Sequence, residues 1–196
     1  MGPVAHHGHP PVAIVYAGNR LGALPPQAPH LRRMLRERLR RPLNVHVSAR
    51  WISLKAFSTG LAEAKKALVE VAGGELLHYR LGEPPSCEPR LPEAYMGYVA
   101  ANMFWEAHTV GEAMWRRVGL PGRILAVAAG ALARAQEGAP EAAVAMVRKA
   151  AAWATEARVA LDAEQGESLV EEVYARGWAD ARPWLLPLVE AVRALL

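Results

Sequence analysis

Apolar and polar positions change period near residue 90. Upstream, the apolar runs are short, rich in β-branched residues and bounded by Gly, Pro or Asn, as strands are. Val12–Ala17 reads as a buried strand closed by Gly18 and Asn19. Gly22, Pro25, Pro26 and Pro29 predict a loop. Leu31–Arg41 follows, with Leu31, Met34, Leu35 and Leu39 on one helical face, and Pro42 stops it. Asn44–Ser48 alternates, Val45 and Val47 on one side and His46 on the other. Trp51–Phe57 alternates again, Trp51, Ser53, Lys55 and Phe57 against Ile52, Leu54 and Ala56. Ser58 or Thr59 is placed to cap a helix that carries Leu61, Ala64, Leu68 and Val71 and ends at Gly73-Gly74. Leu76–Leu81 is the last strand. With Ser48–Arg50 as a turn, the order is β-α-β-β-α-β, the ferredoxin-like pattern; without it, residues 43–57 are one long strand.

Residues 83–92 hold Pro84, Pro85, Pro89 and Pro92 and read as a semi-rigid linker. Beyond it the apolar positions keep helical spacing to the end. Five helices are predicted: Ala94–Val118, Arg123–Gln136, Pro140 to about Ala160, Glu164–Arg176 and Arg182–Leu195, with Pro187 kinking the last or resetting its start. The expected organisation is α+β: a mobile tail over 1–11, a small α/β module over 12–82, the linker, and an all-α domain over 93–196.

Composition sharpens this division. Residues 1–90 carry 13 basic and 6 acidic side chains, and residues 91–196 carry 10 and 13, so any polyanion-binding surface belongs to the first module. More than half of the residues are apolar, enough for a core and against intrinsic disorder. No run of about 18 uncharged apolar residues occurs, and no basic-then-apolar leader opens the chain, so the expected compartment is the cytoplasm, with no membrane partner. The excess of Arg over Lys is compatible with a thermophilic source. Cys87 is the single cysteine, which excludes an intrachain disulfide and a multi-cysteine metal site. Cys87 has no evident base beside it, no Gly-x-Ser-x-Gly elbow occurs, and Gly18–Gly22 lacks the Lys-Ser/Thr ending of a phosphate loop. His6, His7 and His9 read as a solvated tail.

The densest chemistry lies on the first predicted helix of the all-α domain. At about 100° per residue, Phe104, Trp105, Glu112 and Trp115 fall within about 60° of His108. His108 and Glu112, four apart, are within reach of each other. Glu106 points the other way, among Val99, Met103 and Val110, where a buried carboxylate needs a partner. Phe104-Trp105-Glu106-Ala107-His108, followed by Glu112 and Trp115, resembles the signature of a helical family, domain of unknown function 309, over roughly Pro92–Ala160. The resemblance implies a small all-α domain and carries no activity with it. The chain departs from the family pattern in two places. The second helix reads Leu125-Ala126-Val127-Ala128-Ala129-Gly130, without the family's glutamines, and Thr109 stands where an acidic residue is common.

Three roles are open to this cluster. His108 and Glu112 could be two ligands of a metal ion in an enzyme, but few further ligands are at hand beyond Glu141, Glu156, Asp162, Glu171 and Glu172. They could form a buried pair packed between Trp105 and Trp115 that sets helix register. The aromatics could also line a small-ligand pocket. Whether the chain is an enzyme is therefore left open, and no cofactor is called for. The second feature is the run Arg32, Arg33, Arg36, Arg38, Arg40 and Arg41 against Glu37 alone, a surface for phosphates, with Trp51 and Phe57 exposed on the sheet to stack bases. The leading expectation is a non-catalytic binding or scaffold protein. Self-association is expected through Leu185, Leu186, Leu188, Val189, Val192, Leu195 and Leu196, with nucleic-acid binding and a His108-centred metal enzyme as alternatives.

Overall fold

The computed structural model describes residues 12–81 and 90–196, so the predicted tail, residues 83–89 of the linker, and Cys87 lie outside the described residues, while Leu91 and Pro92 of the predicted linker open a helix. The first stretch contains β1 (Val12–Asn19), a 3-10 turn (Pro25–Gln27), α1 (Ala28–Leu39), β2 (Leu43–Val47), β3 (Trp51–Phe57), α2 (Leu61–Ala72) and β4 (Gly73–Leu81). The second contains α3 (Leu91–Ala100), α4 (Phe104–Val118), α5 (Leu120–Gln136), α6 (Pro140–Glu156), α7 (Ala163–Arg176) and α8 (Arg182–Arg193). The fold is α+β.

The strands form one antiparallel sheet in the order β2-β3-β1-β4. Residues 43–57 are a hairpin, turning at Ser48–Arg50. Side chains alternate across a strand, so the sheet has two distinct faces. One carries Ala13, Val15, Ala17, Val45, Ile52, Leu54 and Ala56 and is covered by Leu31, Leu35 and Leu39 of α1 and Ala64 and Leu68 of α2. The other is aromatic and polar. Cross-strand register sets His78, Tyr16, Ser53 and His46 in one row, and Arg80, Ile14, Lys55 and Asn44 in the next. A separate apolar core, built from α3 to α8 around Leu125, Leu132, Val147, Val170, Trp184 and Leu188, fills the helical half.

Several expectations are corrected in detail. The loop expected around Pro25, Pro26 and Pro29 is instead a 3-10 turn running directly into α1, because proline suits the first turn of a helix. Arg40 ends α1 in the left-handed region, and Met34 is exposed beside the packed stripe. Neither Ser58 nor Thr59 caps α2; Gly60 does so, and the Thr59 hydroxyl donates to the Phe57 carbonyl. Pro187 lies inside α8, which starts at Arg182.

The helical half has six helices among the described residues, not five, because the predicted helix from Ala94 to Val118 breaks at Ala101–Met103. Asn102 takes a left-handed backbone, which asparagine tolerates better than most residues. Its buried amide donates to the Ala179 carbonyl (3.1 Å) and its side-chain oxygen accepts from the Ala179 amide (3.0 Å). The Gln136 side chain donates to the Asn102 carbonyl at 2.9 Å. One asparagine thus ties the α3–α4 corner to the end of α5 and to the segment entering α8. The apolar excess expected on α8 is mostly absorbed by the core: Leu185, Leu188, Val189 and Val192 are buried, leaving Leu186, Leu195 and Leu196 exposed.

Candidate functional site

The second face of the sheet is largely covered. The N-terminal turns of α4 and the end of α5 pack over it and leave a polar seam. Trp51 is 6% exposed, in edge-to-face contact with Tyr16, and its indole N–H donates to the Ala101 carbonyl at 3.2 Å. Phe57 is half-buried with the Lys55 ammonium 5.2 Å from its ring centre. The base-stacking platform expected from Trp51 and Phe57 is therefore absent, because the helical half occupies that face.

Glu106, 1% exposed, finds its partner on β4. The Arg80 guanidinium donates from Nε to both carboxylate oxygens (3.1 and 2.9 Å) and from an Nη to Oε2 (2.7 Å), the fork-to-carboxylate geometry that offsets burial of both charges. A second polar contact crosses the seam at His46. Its Nδ1 lies 3.1 Å from Ser53 Oγ, and its Nε2 lies 3.0 Å from Glu137 Oε1 just beyond α5, close but poorly aligned as a hydrogen bond. Burial works to raise the Glu137 carboxyl, but His46 and then Arg134, bonded at 2.6 Å, outweigh it and hold the group at about 2. Arg32 also reaches across, donating to the Glu137 carbonyl at 3.2 Å. The β2–β3 turn meets the end of α7 by backbone, Ala49 N–H donating to the Gly177 carbonyl at 2.9 Å. Gly177 is left-handed, and a Cβ there would stand 2.6 Å from the Ala49 nitrogen.

His108 and Glu112 do meet, Nε2 to Oε1 at 3.4 Å, and this contact, opposed by partial burial, holds the Glu112 carboxyl below its usual range. His108 Nδ1 is 2.8 Å from the Ala126 carbonyl, so that nitrogen carries a proton and joins α4 to α5. Trp105 packs on His108 with ring centres 5.0 Å apart, and Phe104 is buried in the helical core. Trp115 does not surround the pair: it is 42% exposed and lies beside Arg123. Among the described residues no set of three His, Cys, Asp or Glu side chains gathers where it could hold a metal ion. Of the other carboxylates considered, Asp162 caps α7 by accepting from the Glu164 and Gln165 amides.

Sequence reasoning did not single out Arg80, Lys55, His46 or Glu137. Lys55 projects into a pocket of about 70 Å³ lined by Val12, Ile14, Arg80, Trp105, Thr109 and Glu112. Its ammonium stands 3.7 Å over the centre of the Trp105 ring. Its alternation on β3 was legible; that the opposing wall is α4 was not.

The arginine run divides three ways. Arg32 is spent on the seam, and Arg38 pairs with Glu70. Arg33, Arg36, Arg40 and Arg41 are exposed and make no ion pair among the described residues. Comparison with family models, with curated proteins and with solved structures returned no match. Among the described residues no helix is long and apolar enough to cross a membrane.

Proposed function

We propose that the protein is a non-catalytic binding protein whose α1 surface takes up the phosphates of a nucleic acid. The observation that carries this reading is the stripe Arg33, Arg36 and Arg40, continued by Arg41. Arg33 and Arg36 lie three apart on the open side of α1, Arg40 and Arg41 follow at its C-terminal end, and none has an acidic partner among the described residues. The polar groups of α4 do not compete for the role, since Glu106 and His108 are engaged by Arg80 and Ala126. Because Trp51 is buried, recognition rests on phosphate rather than on stacked bases and is insensitive to sequence.

The same reading takes residues 12–81 as a ferredoxin-like unit, supported by the β1-α1-β2-β3-α2-β4 element order and the antiparallel order β2-β3-β1-β4. It takes residues 92–160 as a member of the domain of unknown function 309 family, supported by the Phe104–His108 motif on α4, and the cytoplasm as the compartment. Fluorescence anisotropy with labelled single-stranded RNA and duplex DNA tests it. Affinity should fall linearly on a log–log plot against salt, with a slope shallower by roughly 2 to 3 in the Arg33→Ala/Arg36→Ala/Arg40→Ala variant. Absence of binding at low salt overturns the reading.

A further inference from the structure

We infer that the pocket at the seam captures a small aldehyde or ketone by reversible imine formation on Lys55. The inference begins with placement. Lys55 sits mid-strand on β3, opposite Ile14 of β1, so its side chain rises from the second face of the sheet directly under α4. Trp105 holds the amine at 3.7 Å from the ring centre and so restricts where it can go. Lys55 forms no hydrogen bond or ion pair within 4 Å among the described residues, unlike Arg80 and Glu106 next to it. The amine, held between the Trp105 and Phe57 rings, borders a pocket whose other walls are Val12, Ile14, Arg80, Thr109 and Glu112. A space of about 70 Å³, a little over two liquid waters at about 30 Å³ each, admits only a very small carbonyl compound.

The electrostatics act in the same direction. The charged groups around Lys55 are Arg80 on β4, Glu106 and Glu112 on α4, and Glu137 after α5. Burial, then Arg80, push the Lys55 ammonium below its ordinary value, against the opposing pull of Glu112, Glu137 and Glu106. A lysine desolvated beside another cation is the arrangement that raises amine nucleophilicity near neutral pH. In the step itself, the amine nitrogen adds to the carbonyl carbon and the carbon–oxygen bond breaks. One water leaves, and the product is an iminium that keeps the single positive charge of the starting ammonium. The Glu112 carboxylate, which lines the pocket, can take one proton from the ammonium and give it to the carbonyl oxygen on addition, then relay a second from nitrogen to the same oxygen, so that both leave in the water. No oxidant or reductant is involved.

The chain contains four lysines, Lys55, Lys65, Lys66 and Lys149, so the test has internal controls. Lys66 and Lys149 are exposed. The full chain is treated at neutral pH with limiting propanal and cyanoborohydride, which traps any iminium as a propylamine, and adducts are assigned by peptide mass spectrometry over time. Lys55 should be labelled severalfold faster than Lys66 and Lys149, because its buried amine is less basic than an exposed one. In urea sufficient to unfold the chain, the four rates should converge. Labelling of Lys55 no faster than Lys66 and Lys149, or an excess that persists in urea, overturns the proposal.

Discussion

At the scale of single residues, the carboxylate of Glu106 illustrates how burial and pairing act together. Its neighbourhood on α4 is apolar, so removing Arg80 or Glu106 alone leaves a desolvated charge without its main partner. Glu106→Ala should destabilise by about 3–5 kcal/mol, whereas Glu106→Leu combined with Arg80→Met should recover most of that loss or exceed wild type. Urea denaturation of the three proteins checks this, and equal losses in single and double variants would contradict it. Glu137 answers to pH. Its carboxyl is held at about 2 in the folded chain against an ordinary value of 4.5. Its contribution is therefore fully present above about 4.5 and is lost as pH falls from there through about 2, because the unfolded chain takes up the proton first. Stability should decline with acid across that window, and Glu137→Gln should flatten the decline. An unchanged slope in the variant would place the acid sensitivity elsewhere.

At the scale of elements, α4 and α5 come unusually close. A Cβ on Gly111 would lie 2.7 Å from backbone atoms of Ala126, so a side chain there must push the helices apart. Gly111→Val is expected to cost about 1–3 kcal/mol, a fall in Tm of roughly 2–12 °C for a chain of this size, read by differential scanning calorimetry. The elements themselves were largely visible in the spacing of apolar residues: the alternation in Trp51–Phe57, the helical stripe in Leu31–Leu39, the glycine stop at Gly73. What escaped was decided by contacts distant in sequence. Nothing near Asn102 breaks a helix; its amide is held by Ala179, a residue of the turn before α8. The need of Glu106 for a partner was legible from its apolar surroundings, but the identity of Arg80 was not. Periodicity says which face a side chain occupies and not what lies against it. For the same reason Trp51 was correctly assigned to the second face of the sheet and wrongly left open to solvent.

At the scale of the whole molecule, two large apolar cores are joined by a layer that combines a small apolar cluster, Ile14, Tyr16 and Trp51, with paired polar groups. Apolar cores tolerate small shifts in packing, while paired charges and backbone hydrogen bonds require a particular register. The seam therefore specifies how the halves sit together through Arg80–Glu106, His46–Glu137 and Trp51–Ala101. It also places the two proposed binding surfaces apart, the arginine stripe on the helices that cover one face of the sheet and the Lys55 pocket on the other.

The contact between Ala49 and Gly177 turns this arrangement into something that can be timed. Ala49 belongs to an exposed hairpin tip, where an amide ordinarily exchanges its hydrogen with solvent quickly, yet its N–H is held by a carbonyl of the opposite half. Exchange there requires the halves to part, so its rate counts openings of the seam without unfolding either core. In deuterated solvent the Ala49 amide should be protected in the wild type. Glu106→Ala should speed its exchange far more than that of amides in the centre of β3. Rapid exchange at Ala49 in the wild-type chain would mean that the hairpin tip separates from α7 without the rest.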